Sequence, residues 1–150
     1  PRHGPMTEVA FHFNVPDKLH YTCRLLRKAR LSGVALVVTG QADFLQALHG
    51  ALWNLPPQEF MAHGTDTSPP AVRRHSPVVL SAMVDDVPHH QVLVNVGQDV
   101  PPGFSRFERL IEVVSAEDAE DRTQARQRWK YYADRGYTIT RHDLAAQKGA

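Results

Sequence analysis

The chain has little cysteine: Cys23 is the only one in 150 residues. A single thiol cannot close an internal disulfide, which suits a reducing, cytoplasmic location. No apolar run approaches the roughly 20 residues of a membrane-spanning helix, and no stretch reads as a signal peptide. An excess of either charge is missing too, because 17 basic residues face 16 acidic ones for a formal net charge of +1. No global basic field therefore argues for nucleic acid, and the cations matter only where they cluster. Clustered glycines are also missing from the places where phosphate chemistry needs them. A phosphate loop brings backbone N–H groups close to an anion through closely spaced glycines after a strand. Asn14-Val15-Pro16-Asp17 has none, and Thr39-Gly40-Gln41-Ala42 has one, without a following Lys-Ser/Thr. Neither is a Walker A loop or a dinucleotide fingerprint, and nucleotide binding is rejected.

Nine histidines suggest metal only by their number. His89 and His90 are adjacent, and no other pair combines helical ligand spacing with a nearby carboxylate or thiolate. No metal site follows. His12 and His63 fall in predicted strands as packed or surface residues. Cys23 lies on the apolar stripe of a predicted helix, where a packed thiol is the expected role. No Gly-x-Ser-x-Gly elbow occurs, and Asp85-Asp86 reads as a turn rather than a carboxylate pair. No cofactor and no catalytic residue emerge.

Hydrophobic content of 42% and charged content of 22% are ordinary for a soluble globular domain. Met6 followed by TEVAFHFNV reads as a natural start and the preceding PRHGP, residues 1–5, as an expression remnant, which leaves residues 6–150 as one domain. Residues 9–15 predict a strand. Asp17 is placed to cap a helix over 18–32, with Leu19, Cys23, Leu25 and Leu26 as its apolar positions and Gly33 as its stop. The run 34–38 predicts a strand buried on both faces. A second helix covers 41–55, with Phe44, Leu45, Leu48, Leu52 and Leu55 on one side and Pro56-Pro57 beyond. Residues 59–63 complete a β-α-β-α-β pattern. Residues 64–76 read as a mobile polar loop, 78–83 and 91–96 as strands joined by a hairpin or a short crossover. A helical turn at 104–107, a strand at 110–114, a long helix and an edge strand at 137–141 follow, with a frayed tail from 145. The order implies an α/β fold, a Rossmann-like open, mostly parallel sheet flanked by helices.

The long helix, SAEDAEDRTQARQRWKYYADRG, spans residues 115–136. Ser115 is placed to cap it, with Asp118 at capping-box spacing. Acidic residues fill its first turns, cations follow, and Gly136 stands where a left-handed stop belongs. At about 100° per residue, Ala125, Trp129 and Tyr132 share a core-facing side, with Trp129 at its border. Arg122, Arg126 and Lys130 run at i, i+4 spacing beside it. Such a row can hold an acidic peptide with an apolar end, although an ordinary solvated helix face carries the same alternation. In the second helix Trp53 points away from the leucine side, roughly opposite Phe44. It is either covered by the loop at 64–76 or presented to a partner, and Phe60 could join it.

Ala51-Leu52-Trp53, Pro56, Glu59-Phe60 and His63 resemble the Leu-Trp…Pro…Phe-x-x-His motif of the chi subunit of bacterial DNA polymerase III. The first strand and helix leading to VALVVTG are similar to that family. So is Gln127-Arg128-Trp129-Lys130-Tyr131-Tyr132 before a Gly-aromatic turn and a last strand. The resemblance spans nearly all of residues 6–143. It implies a non-enzymatic accessory protein of the replicase with a Rossmann-like fold and no bound nucleotide. It also implies two partners, the psi subunit of the clamp loader and the acidic C-terminal tail of single-stranded DNA-binding protein. Its tail-binding positions fall on Arg122, Arg126, Arg128 and Lys130, with Trp129 where the family often has tyrosine. Its psi-side positions fall on Trp53 and Phe60. An enzyme on the same sheet is disfavoured by the missing phosphate loop, and direct nucleic-acid binding by the small net charge.

Overall fold

A computed structural model of the chain describes residues 7–56, 63–84 and 87–145. The first strand, β1 (Glu8–Val15), buries Val9, Ala10 and Phe11 on both its sides. Asp17 then accepts a hydrogen bond from the His20 backbone N–H at 3.0 Å and starts α1 (Lys18–Leu31). Gly33, at φ +77°, turns the chain out of the helix. The apolar run that follows is β2 (Leu36–Thr39), buried throughout as a strand covered on both faces must be. In α2 (Ala42–Trp53) the buried side chains are Leu45, Leu48 and Leu52, and Trp53 stands 59% exposed on the far side. The chain continues through β3 (His63–Thr65), α3 (Pro70–His75), β4 (Val78–Leu80) and β5 (Val92–Asn95). A 3-10 turn at Phe104–Arg106, β6 (Arg109–Ser115), α4 (Ala119–Asp134) and β7 (Ile139–Asp143) complete it.

Among the described residues the strands form one seven-stranded sheet in the order β3-β4-β2-β5-β6-β1-β7. Every pairing is parallel. The fold is therefore α/β and Rossmann-like, with two apolar layers. One packs α1 and α2 on the sheet around Leu26, Leu48, Leu52, Val38 and Val94. The other packs α4 and the 3-10 turn on the opposite face around Phe11, Leu93, Phe104, Leu110 and Tyr132.

Several expectations shift. The segment 64–76 is not one loop, since it contains the end of β3 and all of α3. Pro70 suits the first turn of a helix, because its missing N–H would be unpaired there anyway. Six residues are too few to show a helical period in the sequence. β4 and β5 are not a hairpin, because both run parallel to β2 and flank it. The expected strand at 59–63 begins at His63, and its other residues, Asp85-Asp86, the frayed tail beyond 145 and the segment before Thr7 lie outside the described residues. The last strand lies two residues later than expected, pairing β1 from Ile139 to Asp143.

His12 shows how closely the sheet and α1 meet. Its ring is buried, 2.5 Å from the Tyr21 hydroxyl of α1 at Nδ1 and 4.7 Å, centroid to centroid, from the His142 ring of β7. Burial, and then the charges of His142, Arg109 and Lys28, hold its pKa down at about 4, from the usual 6.5. Between those values the unfolded chain binds a proton that the folded protein refuses. The stability contributed by the neutral ring is complete above pH 6.5 and is lost as pH falls towards 4. Denaturant titrations across this window should show a loss on the order of 2 kcal/mol that His12→Gln lacks. Equal pH slopes for the two proteins would disprove the assignment.

A candidate peptide-binding edge on the last helix

α4 starts later than its sequence suggests, and Ser115 is not its cap. Asp118 takes that place, accepting from the Glu120 and Asp121 backbone N–H groups. Ser115 Oγ instead closes the preceding turn by accepting from the Glu117 and Asp118 N–H groups. Asp121 is buried, pairs with Lys18 of α1 at 3.0 Å and accepts the Ser115 N–H at 2.9 Å. Gly136 ends the helix turn at φ +84°.

The position of α4 on the sheet depends on a buried polar group. Arg128 is 2% exposed and Glu112, on β6, is fully buried. Arg128 Nε donates to Glu112 Oε1 at 2.9 Å and Nη1 to the Gln98 carbonyl at 2.6 Å. Tyr132 OH donates to Glu112 Oε2 at 2.5 Å, and Asn95 Nδ2, from β5, reaches both carboxylate oxygens. Burial pushes the Glu112 carboxyl above its usual range, opposed first by the Arg128 charge and then by the donated hydrogen bonds. Burial beside Glu112 also raises the Tyr132 phenol, which therefore remains a donor. Four donor contacts converging on two oxygens are the partners an ionised carboxylate requires. Arg128 Nη2 is buried without a partner among the described residues, a cost that the pair must offset.

This geometry sets one expected site residue apart from the others. The resemblance places Arg128 with the peptide-binding cations, but its guanidinium points into the sheet. The cause is angular: on a helix of about 100° per residue, Arg128 lies on the Asp121, Ala125 and Tyr132 side, and Arg126 and Lys130 lie some 160° away. The remaining candidates stay on the surface. Arg122 is half-buried and donates to the Ala116 carbonyl. Arg126 is exposed. Lys130 is exposed and pairs with Asp134 at 3.3 Å, a solvated contact of little energetic weight.

Trp129 sits at the border of the helix, half-buried against β1. Its ring centroid is 5.0 Å from Phe11 and 5.9 Å from Phe13. The Arg141 guanidinium of β7 lies 5.3 Å from the Phe13 ring on the same edge. Phe13 and Arg141 therefore extend the Trp129 surface across β1 and β7, and Arg122 and Arg126 lie within about 60° of Trp129 around the helix. Sequence reading missed Phe13 and Arg141. Phe13 carried a signal, since it alternates with Phe11 and so shares its face. Arg141 carried none until β7 was placed in register with β1.

The second candidate patch is at the other end of the sheet. Trp53 makes edge-on ring contacts with His49 of α2 and His63 of β3, and those two imidazoles are linked at 2.8 Å. Among the described residues it is thus partly covered by His49 and His63. Phe60, the other psi-side residue, lies outside the described residues. Among the described residues no three His, Cys, Asp or Glu side chains converge on a metal position, and no helix is long and apolar enough to cross a membrane.

The crevice where open α/β sheets hold nucleotides, outside the carboxyl ends of β2 and β5, has a volume of only about 170 Å³. The backbone closes it: a Cβ on Gly40 would stand 2.7 Å from Val96 Cγ2, and one on Gly97 would stand 3.0 Å from Gly40 Cα. The fold defines a Rossmann-like α/β protein with two aromatic patches on its surface. The sequence model of one family, DNA polymerase III chi subunit, HolC, matches residues 6–140. Two relatives are named DNA polymerase III subunit chi. The Pseudomonas aeruginosa protein is 30% identical over 93% of this chain and 98% of its own length. The Haemophilus influenzae protein is 26% identical over 81% and 84%. The chain belongs to the DNA polymerase III chi subunit family and is a non-catalytic replication accessory subunit.

Arg128→Ala should destabilise the fold by about 3–5 kcal/mol, because it leaves Glu112 buried and unpaired. Arg128→Met with Glu112→Gln should recover most of that loss in urea unfolding. A single variant as stable as the parent would mean that Glu112 needs no partner.

Proposed function

We propose that this protein tethers the clamp loader, through the psi subunit, to the acidic C-terminal tail of single-stranded DNA-binding protein during replication in the cytoplasm. The observation that carries the reading is the Trp129–Phe13 ring contact with Arg141 over Phe13, on the side of α4 that Arg122 and Arg126 share by helical angle. A peptide of several aspartates ending in a phenylalanine carboxylate has the complementary chemistry. Its ring needs an apolar seat beside aromatic edges, and its carboxylates need guanidinium donors at the rim. Lys130, one turn beyond Arg126, extends the cationic row along α4. Arg128 supports the site from behind by fixing the helix.

Psi is assigned to the Trp53 patch, with Phe60 as its second anchor. The sheet order supports two simultaneous contacts. Trp53 packs beside β3 at one edge, and Trp129 packs over β1 next to β7 at the other. At about 4.8 Å per strand these edges are roughly 29 Å apart, so two partners can bind without overlap.

Arg126→Ala should weaken binding of an acidic tail peptide by about 1.5–3 kcal/mol in calorimetry. Rising salt should weaken the parent's binding as well. An unchanged affinity in the folded variant would remove Arg126 from the site. Trp53→Ala should leave melting temperature and tail binding intact but reduce psi capture by roughly 30-fold, the cost of a 2 kcal/mol anchor. Normal psi capture by a stable Trp53→Ala protein would leave this patch without a partner.

A further inference from the structure

The even charge balance of the whole chain conceals a division. α1 carries Lys18, Arg24, Arg27, Lys28 and Arg30 and no carboxylate, so the other 12 basic residues face all 16 acidic ones. Two of the five serve the fold: Lys18 pairs with Asp121, and Arg30 Nη1 donates to the Val34 carbonyl at 3.0 Å. Arg24, Arg27 and Lys28 instead lie at i, i+3 and i+4 along one exposed stripe. Arg109, exposed at the start of β6, lines the same surface cleft as these three, and Glu108 is the one carboxylate there. Among the described residues Arg24, Lys28 and Arg109 enter no ion pair. Helix stability does not account for the stripe. Lys28, in the last turn, complements the helix dipole, but like charges four residues apart, as Arg24 and Lys28 are, weaken a helix. Arg109 is on a strand and gains nothing from that dipole.

We infer that this face of α1 binds the sugar-phosphate backbone of double-stranded DNA, without regard to sequence, through Arg24, Lys28 and Arg109 with Arg27 beside them. A duplex presents one negative charge per about 1.7 Å of its axis, and cations that neutralise phosphates gain by releasing condensed counterions. That gain needs no apolar contact, and the stripe offers little. A single strand suits it less, because single strands are held in large part by bases stacked on exposed rings. The rings lining the cleft, His12, Tyr21 and His142, pack on one another, and His20 is the one exposed ring on α1. A protein partner would seek large apolar anchors, and Leu31 is the one large apolar side chain exposed on α1. α1 covers the sheet face opposite α4, so DNA there leaves the Trp129 surface open. The inference needs neither the tail nor psi as a partner.

The test is fluorescence anisotropy of the full chain alone with three labelled probes: a duplex of mixed sequence, oligothymidylate of the same length and polyglutamate of the same charge. The duplex should bind tightest, and its log affinity should fall with log salt at a slope of about −2.7 to −3.6, as three to four phosphate contacts require. Arg24→Gln with Lys28→Gln, both exposed positions, should make that slope shallower by about 2 and lower the low-salt affinity at least tenfold. Arg109→Gln should make it shallower by about 1, and serves as the second variant if the helix variant does not fold. Arg126→Gln, on α4, should leave the slope unchanged, which separates this face from the proposed tail site. Preference for oligothymidylate or polyglutamate, a slope that the folded α1 variant retains, an equal loss in Arg126→Gln, or no salt-dependent binding of the duplex would each overturn the inference.

Discussion

The buried contact between Arg128 and Glu112 governs the useful surface of this protein. As net stability such a pair is worth little, because desolvation offsets most of its attraction. What it sets is the rotation of α4. Arg128 can meet Glu112 only if the helix turns that side inward, with Tyr132 donating to the same carboxylate one turn later. Trp129 is then forced to the border over Phe11 and Phe13, and Arg126 to the solvent. Asn95 and the Gln98 carbonyl draw β5 and the segment after it into the same group. A helix held by apolar contacts alone could roll by some tens of degrees with a modest change in buried area. One held by directed hydrogen bonds at 2.5–2.9 Å cannot.

At its amino end α4 is held a second time. Asp121 joins Lys18 of α1 and the backbone of Ser115, so the helices on opposite faces of the sheet are tied near the carboxyl ends of β1 and β6. The two ties differ in exposure, since Lys18 remains partly solvated and Arg128 does not. Together they hold the Trp129 surface in one arrangement, and a partner docking on such a fixed surface loses less conformational entropy than one docking on a mobile loop.

Much of the architecture was legible in the sequence, and the reasons are local. Asp17 and Gly33 bracket α1 because a cap and a left-handed stop act within one turn. Leu45, Leu48 and Leu52 mark the α2 core side because twelve residues display the helical period. The strand order was not legible, since β2, β4 and β5 are all short valine-rich runs with nothing local to choose their neighbours. α3 was hidden by its length. Within the candidate site, Arg122, Arg126, Trp129 and Lys130 follow from spacing along one helix. The burial of Arg128 was not legible, because family similarity carries a residue type to a position but does not say which way its side chain points. Its partner is 16 residues away on β6, and Glu112 within an apolar run was the available hint: a carboxylate there needs a buried cation. Phe13 and Arg141 were missed as site residues because β1 and β7 meet only in the folded sheet.

The placement of β1 has a consequence for how the chain is made. β1 leaves the ribosome well before its neighbours in the sheet, β6 and β7. At 5–20 residues per second, the wait between the end of β1 and the start of β6 is roughly 5–20 s. Through that interval the N-terminal segment exposes Val9, Phe11 and two unpaired strand edges, a pattern that invites pairing with other chains. α1, β2 and α2 can form locally in the meantime, but they cannot shelter β1. Synthesis from N- to C-terminus therefore leaves β1 without its sheet neighbours until β6 has been translated.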